Sequence, residues 1–143
     1  MTNFQKIFDI VSKHLLIDQR KKATYSHPSG NCFYRVGTSL KCAIGVLIPD
    51  ELYDIDMEDG FSPKDLYNVY PDLAYHWITE YDLSDDEKTW EFMKELQMIH
   101  DGTEVMDWGW KLNLYAHNLN LDMNHSIPLT EEEKNFNPTY LRS

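Results

Sequence analysis

Phe4, Ile7, Phe8, Val11 and Leu15 recur at three- and four-residue spacing, which puts five apolar side chains on one face of a helix. A helix with one apolar stripe must bury it against other elements. The first fifteen residues therefore commit the chain to helices packed around a shared core. Thr2 or Asn3 supplies the start cap.

Further helix signals follow. Ser62-Pro63-Lys64-Asp65 sets a capping hydroxyl before a proline at the first helical position, with an acid in the first turn. Pro71 opens a second short helix that reaches Tyr81. Ser84-Asp-Asp-Glu87 reads as a capping box, and Met93, Leu96 and Ile99 continue that stripe to Gly102. A last helix is expected from about Glu104, carrying Val105, Trp108, Leu112, Tyr115, Leu119 and Met123, with Gly109 as its weak point. Trp77, Trp90, Trp108 and Trp110 are expected to close the core between these helices.

Residues 31–36 favour a short strand, because Phe33, Tyr34 and Val36 suit a pleated surface. Leu40–Ile48 is almost continuously apolar, so periodicity leaves a hairpin strand and a buried helical turn both open until Pro49 ends the run. The expected class is α+β and mainly α-helical. It comprises five or six short helices and a small two-stranded element near residues 31–45. Residues 1–123 read as one globular domain, and 124–143 as a surface-packed or frayed tail.

Charge is distributed unevenly. The net formal charge is −11. Residues 1–48 carry seven bases and two acids, 49–107 eighteen acids and three bases, and 108–143 four acids and three bases. A basic first third is thus joined to an acidic middle, a pattern that bears on partners more than on fold. No run approaches the roughly 18 apolar residues of a membrane span, and the charged first helix does not read as a secretory signal. Two cysteines, Cys32 and Cys42, are too few for a disulfide scaffold. The expected setting is the cytoplasm, with both thiols reduced.

Four groups of residues carry chemistry. Cys42 with His100 and Asp101 offers a thiol, an imidazole to take its proton and a carboxylate to orient the ring. The same residues suit a packed core and an ordinary helix end. Cys32, Cys42, His27 and His100 contain zinc-ligand types, but no two cysteines lie at the usual short spacing, so no metal or other cofactor is expected. Tyr25, His27, Tyr34, Arg35 and Lys41, after the Arg20-Lys-Lys22 run, form the best ligand-binding group, since cations hold phosphates and tyrosine rings stack on bases. The alternative is that Arg35 pairs internally with the acidic middle. No Walker loop or Gly-x-Gly-x-x-Gly occurs. Asp50, Glu51, Asp54, Asp56, Glu58 and Asp59 read either as a solubilising surface or as an array imitating the phosphates of a duplex. Asp54-x-Asp56-x-Glu58 alternates oxygens like a calcium loop but lacks its glycine position and terminal glutamate.

Asn31-Cys-Phe-Tyr-Arg35, Lys41-Cys-Ala-Ile-Gly-Val-Leu-Ile-Pro-Asp50, Tyr53, Met57-Glu58 and Leu96-Gln-Met-Ile-His-Asp101 together resemble a group of small phage and prophage proteins. Those proteins carry a C-Y-R, C-A-I-G-x-L-I-P-D-x-x-Y and L-Q-x-x-H-D pattern. The resemblance spans roughly residues 4–101 and is most specific between Cys42 and Tyr53. It implies a phage setting and leaves the chemistry open. Val46 departs from it, where similar proteins often have a second cysteine.

The expected function is that of a phage accessory protein acting by binding, in counter-defence. It would sequester a host defence protein or a small phosphorylated, nucleotide-type signal. Two alternatives stand beside it: a thiol-dependent hydrolase using Cys42 and His100, and an acidic nucleic-acid mimic that occupies a host nucleic-acid-binding protein. Membrane association and direct nucleic-acid binding are not expected. Self-association is left open.

Overall fold

A computed structural model describes residues 1–19, 33–37 and 40–125. Within them lie five α-helices: α1 (Phe4–Lys13), α2 (Pro63–Val69), α3 (Pro71–Tyr81), α4 (Glu87–Gly102) and α5 (Trp108–Asn118). A two-stranded antiparallel sheet, β1 (Arg35–Val36) and β2 (Leu40–Lys41), pairs Arg35 with Lys41 and Val36 with Leu40. The mainly helical α+β class is as expected. None of the described helices is long and apolar enough to cross a membrane. The tail expected beyond residue 123 falls outside the described residues after His125.

The first four helices each start at a local signal. Asn3 accepts from Lys6 N at α1, and Ser62 with Asp65 forms a reciprocal capping box at α2. Between α2 and α3 one residue, Tyr70, ends one helix and precedes the next. Pro71 excludes it from helical geometry, and the chain bends there. At α4 the cap is Asp86 and not Ser84, because the Ser84 amide donates to Thr2 Oγ1 at 2.9 Å and Asp86 accepts from Thr89 N at 2.8 Å. The last helix is shorter than its apolar pattern. A 3₁₀ turn (Val105–Asp107) precedes α5, and Asn120 adopts a left-handed φ of 56° just beyond it.

The core gathers the inward faces of all five helices around Phe8, Leu15, Trp77, Met93, Leu96 and Trp108. Burying each such side chain stabilises by roughly 1.5–3 kcal/mol. Trp77 also donates its indole N–H to the Leu47 carbonyl at 2.9 Å, tying α3 to the turn Gly45–Leu47. An aromatic line through Phe4, Phe92 and Tyr115 joins α1, α4 and α5. Of the four tryptophans, Trp77 and Trp108 are buried, while Trp90 and Trp110 are half-buried.

The run Leu40–Ile48 resolves into both shapes that its composition allowed. Leu40 and Lys41 are strand, and the chain then turns as 3₁₀ at Gly45–Leu47. That turn presses against β1 closely enough for a side chain at Gly45 to overlap the Tyr34 carbonyl. Glycine is required there for space.

Candidate functional site

The segment bearing the most distinctive sequence is held from α1 outward. After Lys13 the helix widens into one π-helical turn (His14–Asp18). This turn brings Gln19 against β2, where its carboxamide accepts from Lys41 N and donates to Lys41 O, both at 2.8 Å. His14 Nε2 meets the same carbonyl at 2.9 Å. Burial, the largest influence, holds the His14 pKa below its ordinary value.

Arg35 and Lys41 converge on one carboxylate. Arg35 Nη2 lies 2.7 Å from Asp50 Oδ1 and donates to the Ile48 carbonyl at 2.7 Å. Lys41 Nζ lies 3.4 Å from the same Asp50 oxygen. The hydrogen bond from Arg35, followed by the Lys41 charge, keeps the Asp50 carboxyl below its usual range. The Arg35 guanidinium lies 4.9 Å from the centre of the Tyr53 ring. Glu58 accepts from Tyr34 N, Arg35 N and the Tyr53 hydroxyl at 2.9, 3.1 and 2.6 Å. The Tyr34 hydroxyl donates to the Phe61 carbonyl, and burial is the main cause that raises its pKa. Arg35 side-chain exposure is 8%, and among the described residues its Nε has no hydrogen-bond partner. Tyr34, Arg35 and Lys41 are therefore drawn together but turned onto acidic and backbone partners of their own chain. Tyr25 and His27 lie outside the described residues.

Asp101 and His100 reach the segment after Cys42 through Gln97, which bonds Ile44 N. Gln97 accepts from Ile44 N at 3.2 Å and donates to Asp101 Oδ1 at 2.7 Å. His100 Nδ1 lies 2.7 Å from that Asp101 oxygen, and its fully buried ring stacks on Trp108 at 5.3 Å. The Cys42 sulfur is also fully buried and accepts from Gly45 N at 3.2 Å. Burial above all pushes this thiol up to about 12, and Asp101 adds to the shift. A nucleophilic cysteine needs the opposite environment, one that favours thiolate. Cys32 and His27 of the zinc reading are outside the described residues, among which no three metal-ligating side chains converge. In the Asp54-x-Asp56-x-Glu58 run, Glu58 turns inward and Asp54 caps Asp56 N at 2.9 Å, so their oxygens diverge.

The acidic middle faces outward. The 3₁₀ turns Asp50–Leu52 and Ile55–Glu58 lie against the bend between α2 and α3, leaving a groove of about 440 Å³. Leu52, Ile55 and Tyr70 give it apolar surface, while Glu51, Asp54 and Asp72 supply charge. Among the described residues, Glu51, Asp54, Asp56, Asp59 and Asp72 have no ion-pair partner. Partial desolvation raises the Tyr70 phenol, and Asp54, Asp56 and Asp59 push it further in the same direction. The position of Asp72 in this groove was not legible beforehand, although Pro71 signalled the bend that creates it. No family model matches the chain, and no curated protein or solved structure matches it.

Proposed function

We propose that this chain acts by binding, as a phage accessory protein of counter-defence that captures a basic host protein through its acidic middle. The observation that carries the reading is the set of carboxylates Glu51, Asp54, Asp56, Asp59 and Asp72, exposed and without ion-pair partners among the described residues. Arg35 and Lys41 share Asp50, so the charge this part of the chain offers a partner is negative. Such a surface attracts cationic proteins and repels phosphate backbones. The phage setting and the counter-defence role rest on the sequence resemblance.

Capture of a nucleotide-type signal by Tyr34, Arg35 and Lys41 has weaker support, because a phosphate would first have to displace Asp50. Hydrolysis through Cys42 is disfavoured by the buried, protonated thiol. Native mass spectrometry of the purified protein, before and after incubation with host extract, separates these readings. A captured protein released by added salt is the expected result. A co-purifying species of nucleotide mass, with no captured protein, would overturn it.

A further inference from the structure

α3 is amphipathic in an uneven way. Leu73, Ala74, Trp77 and Tyr81 face the core, while Asp72, Tyr75 and Ile78 are exposed at three-residue spacing, and Asp82 follows the helix in a left-handed conformation. Tyr75 is 72% exposed and Ile78 44%. A surface helix normally fills its exposed side with charged or polar residues. Here two large apolar side chains occupy adjacent turns of it. The stripe begins at Asp72, which also borders the groove, and on the groove's far side Ile55 is 70% exposed.

We infer that the outer face of α3 and the adjoining groove form one docking surface for a cationic, amphipathic segment of a partner protein. The inference rests on the binding role proposed above and names where and how the partner sits. Ile55, Tyr75 and Ile78 supply apolar anchors, and tyrosine is a residue type that concentrates binding energy at interfaces. Glu51, Asp54 and Asp72 surround the groove with negative charge that the described part of the chain leaves unpaired, and Asp82 adds another carboxylate just after the helix. A complementary segment places lysines or arginines against those carboxylates and an apolar row along α3. α3 has 11 residues, about 16 Å of helix, enough to pair with roughly three turns of a partner helix. Nucleic acid and anionic lipid surfaces bring the wrong sign of charge. A purely polar cationic tail leaves the apolar row uncovered.

The test uses the full chain, ¹⁵N-labelled, and two synthetic peptides of equal length and charge. One is a Leu/Lys amphipathic helix former, and the other has serine in place of leucine. The Leu/Lys peptide is expected to bind at least about tenfold more tightly, with amide shifts concentrated at residues 51–55 and 69–82. Tyr75→Ser combined with Ile78→Ser, both exposed and away from the core, is expected to erase that preference while leaving the thermal midpoint in place. Equal binding of the two peptides, with loss of both in Glu51→Gln/Asp54→Asn/Asp72→Asn, would overturn the docking surface and leave the acidic binding role standing. Shifts centred elsewhere would also overturn the docking surface. Failure of both peptides to bind would overturn both readings.

Discussion

The single carboxamide of Gln19 pairs with both backbone groups of Lys41, accepting from its N–H and donating to its carbonyl at 2.8 Å each. The side chain thereby acts as a further strand residue at the edge of β2. Gln19→Glu keeps the acceptor but sets a carboxylate oxygen against the Lys41 carbonyl, whereas Gln19→Ala removes both bonds without that repulsion. Each lost bond to a half-buried backbone group costs about 1 kcal/mol. Urea unfolding should therefore give both variants midpoints below the parent. A midpoint unchanged in Gln19→Ala would remove this clamp from the account.

His14 gives the same contact a pH dependence. Burial lowers its folded pKa below the ordinary histidine value of about 6.5, so the unfolded chain takes up a proton more readily than the native state. Above about pH 6.5 neither state is protonated at this site and its destabilising effect is absent. As pH falls from there toward the folded value, the unfolded state gains protons first and stability declines. His14→Gln should flatten this decline in a series of urea titrations from pH 8 to pH 5. An equally steep fall in the variant would place the pH sensitivity elsewhere.

Two glycines should respond to alanine with opposite signs. At Gly45 the new carbon meets the Tyr34 backbone carbonyl, which cannot withdraw without disturbing β1. Gly45→Ala should cost about 1–3 kcal/mol or more. Gly109 lies inside α5, where a new carbon makes ordinary contact with Leu16 Cδ2 at 3.9 Å. Gly109→Ala should stabilise by roughly 0.5–1 kcal/mol. Thermal unfolding of both variants checks the pair, and a stable Gly45→Ala would contradict the close approach.

Cys42 should be nearly inert in the native protein. With its thiol pushed up to about 12, thiolate at pH 7 is roughly one part in 10⁵. Iodoacetamide labelling followed at peptide level, so that Cys32 is read separately, should show Cys42 modified only after denaturant is added. Rapid native labelling of Cys42 would restore the hydrolase alternative.

The parts legible from sequence are those fixed by local physics. The α1 stripe has a clear helical period, and Ser62-Pro63 and Pro71 start helices through their own backbone constraints. The hairpin was ambiguous because Leu40–Ile48 is apolar on every side, and tertiary contacts decide where strand yields to turn. The start of α4 shifted from Ser84 to Asp86 because Thr2, more than eighty residues away, receives the Ser84 amide. Gln19, Glu58 and Gln97 each take up backbone N–H groups, of Lys41, of Tyr34 and Arg35, and of Ile44, which only the fold places beside them. Arg35 was read from its charge as a ligand-binding residue, with internal pairing as the alternative. Its contacts with Asp50 and Ile48 follow the alternative. The exposed row on α3 shares its helix with the buried one, and only the folded arrangement distinguishes a solvated side from a docking side.

In the function proposed above, groove carboxylates that have no ion-pair partner among the described residues hold a basic host protein. The most direct test compares capture from host extract by the parent protein and by Glu51→Gln/Asp54→Asn/Asp72→Asn, at low salt and at physiological salt. Asn keeps the oxygen that caps Asp56 N, and loss of the first-turn charge at Asp72 costs about 0.3–1 kcal/mol, so the variant should stay folded with a midpoint close to the parent's. The account predicts a protein captured by the parent, weakened by salt and lost in the variant. Equal capture of the same protein by parent and variant, at both salt concentrations, would contradict it.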